Sequence, residues 1–188
     1  MPFTLPATFE TQHLLVRLVQ EEDIQELLLI NGDDSVTRFL PYDTWQSVED
    51  GVLWYKKICE LHATNTVLQF VIINKVSNRV IGTCLLFRLE EASRRAEIGY
   101  VLGREFWRQG FAFEALTGLL YYAFDSCSLH RLEAEIDPDN LASNKLISKL
   151  GFTHEGLLRQ RWHSKEKFND TNIYGLLCKE FKAGCQTS

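Results

Sequence analysis

Residues 105 to 116 read EFWRQGFAFEAL, and the types and spacing of these residues suit the capture of an anion. The preceding run RRAEIGYVL alternates as a strand does, whereas from Phe111 onward the apolar residues recur at helical spacing. Gly110 therefore stands where a helix begins, and the first four N–H groups of a helix have no partner inside it. Those donors and the helix dipole favour negative charge. A residue without Cβ lets a ligand approach the backbone and permits positive φ. Ala112 is the next smallest choice on the same turn, and Arg108 offers a charge-assisted contact to phosphate. Glycine before a helix also serves packing alone, so this stretch leaves both readings open. The nucleotide patterns GxGxxG and GxxxxGK[ST] do not occur in the chain.

The elements that must position this turn follow from periodicity. HLLVRLV (13 to 19) reads as a strand and EEDIQELLLING (21 to 32) as a helix with acids at its positive end. SVEDGVLWYKKICELH (47 to 62) reads as a second helix, opened by Ser47 with Asp50 three residues on, a variant capping box. Three strands follow, at 67 to 74, 79 to 89 and 94 to 102, with short connections that predict an antiparallel meander. Ala112, Leu116, Leu119, Leu120 and Ala123 form one stripe of a helix running from Phe111 to about Ser126. HRLEAEI (130 to 136) is a strand, NLASNKLISKL (140 to 150) a helix stopped by Gly151, and FTHEGLLRQRW with NIYGLLCKEF a closing hairpin. The order predicts an α/β fold with a mixed sheet.

Bulk properties narrow the function. The chain has 188 residues, 45% hydrophobic and 24% charged, the profile of one ordinary globular domain. A formal net charge of -5 argues against an electrostatic grip on nucleic acid and leaves room for a cationic partner. Five cysteines without a CxxC pair suit a reducing cytosol better than a disulfide framework or a zinc site, so no metal is expected. The first residues show no signal-peptide pattern, and no apolar run approaches the roughly 18 residues of a membrane span, so a cytoplasmic location without membrane contact is expected.

With these residues in view, AEIGYVLGREFWRQGFAFEAL resembles the core of the GNAT superfamily of acyl-CoA-dependent N-acetyltransferases, in its ribosomal-protein (RimJ/RimL-like) branch. LHRLEAEIDPDNLASNKLISKLGFTHEGLLR, TQHLLVRLVQEED and NDTNIYGLL resemble further blocks of that branch in the same order, so the likeness covers about residues 10 to 180 of a single domain. It implies an α/β fold built on a mixed, mostly antiparallel sheet of about seven strands flanked by helices. Its fourth and fifth strands, here 94 to 102 and 130 to 136, would splay apart around the pantetheine arm of the cofactor. The resemblance further implies that backbone groups of Tyr100, Val101 and Leu102 pair with pantetheine. Amides of Arg108, Gln109, Gly110, Phe111, Ala112 and Phe113 would hold the pyrophosphate of acetyl-CoA. Phe113 departs from a frequent Thr or Ser, which removes a hydroxyl contact to phosphate. A homodimer is a family-level expectation.

Acetyl transfer from a thioester to an amine needs a neutral amine, an aligned acceptor and a proton for the leaving thiolate. An α-amine has a pKa of about 7.7–8.0 and lysine about 10.4, so deprotonation at pH 7 costs about 1 kcal/mol for the first and roughly 4.6 for the second. A modest base is therefore enough for an α-amine, such as a protein N-terminus. Glu97 is the candidate: alternation puts it on one face with Gly99 and Val101, and apolar surroundings would raise its pKa. A structural ion pair with an arginine is its other reading. Asn140 is an ordinary helix cap that the resemblance also places on pantetheine, and Ser143 is implied to serve the departing sulfur. Some relatives use a later carboxylate; the corresponding spot lies near Trp162 and holds no acid, so that base is not carried over.

His130 reads as structural, while His163 and Asp170 lie near the acceptor groove. Phe39, Tyr42, Trp45 and Trp54 either wall the acceptor pocket or pack the core, and Cys84 and Cys127 read as core. The sequence thus favours an N-acetyltransferase acting by direct attack of a primary amine. The missing late carboxylate motivates an alternative, a catalytically silent acyl-CoA-binding sensor or scaffold.

Overall fold

The computed structural model describes residues 8–185, with side chains through Phe181. Strands β1 (Thr8–Glu10), β2 (Leu14–Leu18), β3 (Val67–Asn74), β4 (Arg79–Glu90) and β5 (Arg95–Leu102) pair antiparallel in sequence order. Strand β6 (Arg131–Ile136) lies parallel to β5, and the hairpin of β7 (Thr153–Ser164) and β8 (Lys167–Leu177) completes an eight-stranded sheet in the order β1-β2-β3-β4-β5-β6-β8-β7. This parallel pair requires a long crossover, which the helix α4 (Phe111–Tyr121) supplies.

Helices cover both faces. Leu68, Phe70 and Ile72 of β3 share a core with Leu116, Leu119 and Leu120 of α4 and Ile147 of α5 (Leu141–Lys149). Val71 and Ile73, of opposite parity on β3, pack with Leu27 and Ile30 of α1 (Ile24–Asn31) and Ile58 of α3 (Val48–Ala63). Because successive strand side chains point to opposite faces, the two clusters lie on opposite sides of the sheet. The capping box of α3 is formed, with Asp50 Oδ2 accepting from the Ser47 N–H at 3.1 Å.

The α/β class, the mixed and mostly antiparallel sheet and the flanking helices are as expected. The sheet has eight strands rather than about seven, because Thr8–Glu10 adds an edge strand too short to show a period. The two strands expected to splay are therefore fifth and sixth in the chain, with the same residues. A short helix α2 (Asp34–Thr37) follows α1, its first turn capped by Asp33, whose Oδ1 accepts from the Ser35 N–H at 2.8 Å. The last part of NIYGLLCKEF is a correction. The strand ends at Leu177 and a helix, α6 (Cys178–Cys185), begins, with Glu180 Oε2 accepting from the Leu177 N–H at 2.9 Å. The α4 helix passes at Tyr122–Ser126 into a π-helical turn, which brings Tyr122 and Phe124 into the core.

Candidate active site

The turn between β5 and α4 is held open by side-chain bonds to its own backbone. Trp107 Nε1 donates to the Leu102 carbonyl at 2.7 Å, and Gln109 Nε2 donates to the Glu105 carbonyl at 2.6 Å. Arg108 and Gly110 both take left-handed backbone, with φ of 60° and 90°. The first backbone bond of α4 runs from the Glu114 N–H to the Gly110 carbonyl at 3.0 Å. Among the described residues, the amides of Arg108, Gln109, Gly110, Phe111, Ala112 and Phe113 donate to no protein group. A Cβ placed on Gly110 would meet nothing within 4 Å, so the space beside Gly110 is free. The Arg108 side chain is exposed and makes no ion pair among the described residues. Lys149, which sequence reasoning missed, sets its Nζ 4.4 Å from the centre of the Phe113 ring and brings a second cation to this rim. Unpaired donors at a helix start with two cations beside them make an anion cradle.

Beside the cradle the sheet opens. Strands β5 and β6 pair only at Arg95, Ala96 and Glu97 against Arg131, Leu132 and Glu133; beyond these residues each runs alone on that side. The Gly103 N–H donates to the Ile81 carbonyl at 2.9 Å, and the antiparallel alternation then assigns the main-chain groups of Val101 to Thr83. Those of Tyr100 and Leu102 face the gap. Of the three residues named for strand-like pairing, Val101 is thus the one whose backbone is already engaged. The sheet parts where a narrow chain with amide groups can add as a strand.

Side chains reach the gap from both faces. Tyr100 points toward α5, where its hydroxyl donates to Ser143 Oγ at 2.7 Å. Burial pushes the Tyr100 phenol above its ordinary range, against the opposing pull of Ser143. Ser143 Oγ accepts this bond and donates to no other group among the described residues, so its own hydrogen is free to point elsewhere. Asn140 caps α5, its Oδ1 accepting from the Ser143 N–H at 3.2 Å, which fixes where Ser143 sits.

Glu97 has the opposite parity and lies on the other face of the sheet, 6% exposed. Its Oε2 accepts from Arg88 Nη1 at 2.6 Å, and the same nitrogen donates to Glu135 Oε1 at 2.9 Å. Burial, followed by the negative charge of Glu135, raises the Glu97 pKa to about 7 although Arg88 pulls it down. The guanidinium is 43% exposed, and solvent screening weakens that opposing pull. Burial also penalises Glu135, but bonds from Trp162 Nε1 at 2.8 Å, Arg161 at 3.3 Å and Arg88 hold it below the usual carboxylate range. Trp162, where the sequence places no acid of its own strand, donates its indole N–H to the Glu135 carboxylate of β6. Two carboxylates with pKa values pushed apart are a common acid–base arrangement.

Other named residues have structural partners. The backbone of His130 joins Arg94 and Cys178, at 2.7 and 3.0 Å. Asp170 Oδ1 accepts from the Gln160 N–H at 2.8 Å and closes the bulge of β7, while the His163 ring lies 4.8 Å from that of Phe168. Trp45 is core with Trp54 tilted against it at 5.6 Å; Phe39 and Tyr42 are half-buried, with the Tyr42 hydroxyl donating to Asn31 Oδ1 at 3.0 Å. Lys165 Nζ ties the β7–β8 turn to the Thr37 carbonyl at 2.7 Å. Cys59, Cys84, Cys127 and Cys178 are free, and Cys84 is fully buried. Among the described residues no cluster of His, Cys, Asp or Glu could hold a metal, and no helix is long and apolar enough to cross a membrane.

Comparison with known proteins gives the family. The family model described as "Acetyltransferase (GNAT) domain" matches residues 13–153. The "Uncharacterized N-acetyltransferase p20" of Bacillus licheniformis is 36% identical over 174 residues, 93% of this chain and 98% of that one. The "Ribosomal-protein-serine acetyltransferase" of Escherichia coli is 30% identical over 132 residues, 70% of this chain and 69% of its own. A crystal structure of a GCN5-related N-acetyltransferase from Brucella melitensis superposes with a TM-score of 0.87 at 25% identity, covering 98% of this chain and 85% of that one. A cradle of free amides beside a parted sheet, under a family match that spans both, makes this chain a member of the GNAT acetyltransferase family and an N-acetyltransferase.

Proposed function

We propose that the chain, acting as a single catalytic domain, moves an acetyl group from acetyl-CoA to a primary amine by direct attack, and that the acceptor is a protein N-terminal amine. The observation that supports the donor is the set of six unpaired amides around left-handed Gly110, opening onto the gap between β5 and β6. Acetyl-CoA supplies a diphosphate for the cradle, amide groups for the free edge and an activated acyl carbon. The amides of residues 108 to 113, with Arg108 and Lys149 beside them, neutralise the diphosphate. Tyr100 and Leu102 offer main-chain groups to the pantetheine, and Asn140 fixes the start of α5.

Glu97 receives the proton of the amine at a carboxylate oxygen. With its pKa at about 7, half of it is ionised at neutral pH, which suits an acceptor of pKa near 8 better than a lysine near 10.4. Ser143 Oγ–H gives a hydrogen bond to the departing sulfur, and Tyr100 donates to Ser143 from behind, so that negative charge on the sulfur is shared by two hydroxyls. Similarity to a relative named for ribosomal-protein serine acetylation also favours a protein N-terminus as acceptor.

The test is thiol release from acetyl-CoA in the presence of peptides with free and blocked N-termini, of spermidine and of free lysine. The free N-terminal peptides are expected to react fastest. Release with spermidine alone would overturn the protein acceptor, and tight CoA binding without release on any amine would favour the silent sensor.

A further inference from the structure

Arg88 belongs to no family motif quoted above, yet it occupies the mouth of the gap. The β5–β6 ladder ends at Glu97 opposite Glu133, and Glu135 lies two residues farther on, where β6 has no partner on that side. One nitrogen of Arg88, Nη1, bridges the carboxylates of Glu97 and Glu135 across this point. The guanidinium also lies 5.3 Å over the ring of Trp162, whose indole nitrogen donates to Glu135 at 2.8 Å. Three strands therefore converge on one cation. The backbone at Arg88 has φ of 50°, left-handed for a residue with a side chain, within the irregular register between Phe87 and Glu90. Such a conformation is strained for a residue with a Cβ and persists where the surroundings over-determine it.

Building on the reading of Glu97 as the base, we propose that Arg88 is a positioning residue: bridged to Glu135 and seated on Trp162, it sets the ionisation of Glu97 and aims that carboxylate at the gap. Charged groups reach Glu97 from every neighbouring strand. Arg88 comes from β4; Arg95 shares the strand of Glu97 and bonds to Glu133 at 2.8 Å; Glu133 and Glu135 come from β6; Arg161 of β7 acts through Glu135 at 3.3 Å. Arg95 and Arg131 occupy Glu133, at 2.8 Å each, which leaves Glu135 and Arg88 as the two opposed influences nearest the free end of the ladder. Removing either one should move Glu97 in a direction set by the sign of the charge removed.

The experiment is a titration of Glu97 by carboxyl-carbon NMR in protein labelled at glutamate, with Glu97→Gln assigning the signal. Arg88→Met is expected to raise the midpoint of Glu97 by roughly one pH unit, Glu135→Gln to lower it by a similar amount, and Arg88→Lys to restore the midpoint of the unsubstituted protein. Glu135→Gln keeps the size and one acceptor oxygen while removing the charge, so it reads the same coupling if Arg88→Met folds poorly. A midpoint that stays in place in both Arg88→Met and Glu135→Gln, or moves in the same direction in both, overturns the proposal. The pH dependence of thiol release separates it from the assignment of the base. If the NMR midpoints move as expected while the rate profiles do not follow, the role of Arg88 stands and Glu97 is not the base.

Discussion

The Tyr100 hydroxyl donates to Ser143 Oγ at 2.7 Å, joining the strand on one side of the gap to the helix that follows the strand on the other. The bond spends an acceptor site of the serine and leaves its hydrogen available. A donor directed at Ser143 makes its hydroxyl a better hydrogen-bond donor in turn, because successive bonds polarise one another.

Tyr100→Phe is therefore expected to lower the turnover of acetyl-CoA about 5- to 10-fold, the effect of about 1 kcal/mol, with CoA affinity little changed. Ser143→Ala should lose at least as much, and the double variant should lose little more than Ser143→Ala alone. Steady-state rates of thiol release check this. Additive losses would mean that the two hydroxyls act separately.

At Gly110 the φ of 90° and the free space above it make opposite demands on a substituent. Gly110→Ala meets no atom but must hold left-handed backbone, so a loss of about 1 kcal/mol, or roughly 2–4 °C in Tm, is expected. Gly110→Glu adds a carboxylate where a phosphate should sit, and CoA affinity is expected to fall on the order of 100-fold or more. Calorimetry with CoA decides. Unchanged affinity in Gly110→Glu would take the cradle out of cofactor binding.

The buried Glu97 links activity to stability. Its folded pKa, about 7, lies above the 4.5 of the free group, so the folded state binds a proton that the unfolded chain has released between these values. Stability is then undiminished below about pH 4.5 and falls as pH rises toward 7, by on the order of 3 kcal/mol at 1.36 kcal/mol per unit. Glu97→Gln removes this term. Relative to the unsubstituted protein it is expected to be more stable at pH 8 and equal near pH 4.5, with thiol release losing its rise through pH 7. Urea melts across that range test the first part, and a variant destabilised at pH 8 would show that Glu97 is held chiefly for its ion pair.

Glu114 anchors the first turn of α4 to the turn after β1. Its Oε1 accepts from Thr11 Oγ1 at 2.5 Å and from the His13 N–H at 2.7 Å, and its Oε2 lies 2.8 Å from His13 Nδ1. Glu114→Ala is expected to cost about 1–2 kcal/mol, a fall of several degrees in Tm, because the Thr11 hydroxyl, the His13 N–H and the His13 ring lose their shared partner. The Glu97 titration should be unaffected, since the two carboxylates share no partner. Differential scanning calorimetry and the NMR titration together check both halves.

Legibility differed from residue to residue for physical reasons. Gly110 and Ala112 were legible because a helix start is a local event, set by a few neighbouring residues. Glu97 stood out as a charge in an apolar strand, and alternation alone placed it on a face with Gly99 and Val101. Which backbone groups of Tyr100, Val101 and Leu102 face the gap was not legible, since that depends on β4 pairing in one register rather than its neighbour. Lys149 offered no signal beyond a basic residue in the last turn of a helix.

Taken alone, the order of residues determined what depends on short range: the helical and extended periods, the caps, the glycine turn, and through them the α/β class and the family. Tertiary structure alone decided that Arg88, Glu97, Glu135 and Trp162 meet, though Arg88 and Glu135 are 47 positions apart and Glu135 and Trp162 27. Their meeting is a product of strand order, register and a bulge, and the ionisation of Glu97 is set by burial and by charges carried on other strands. Periodicity records which face a residue occupies; only folding determines which charges share that face.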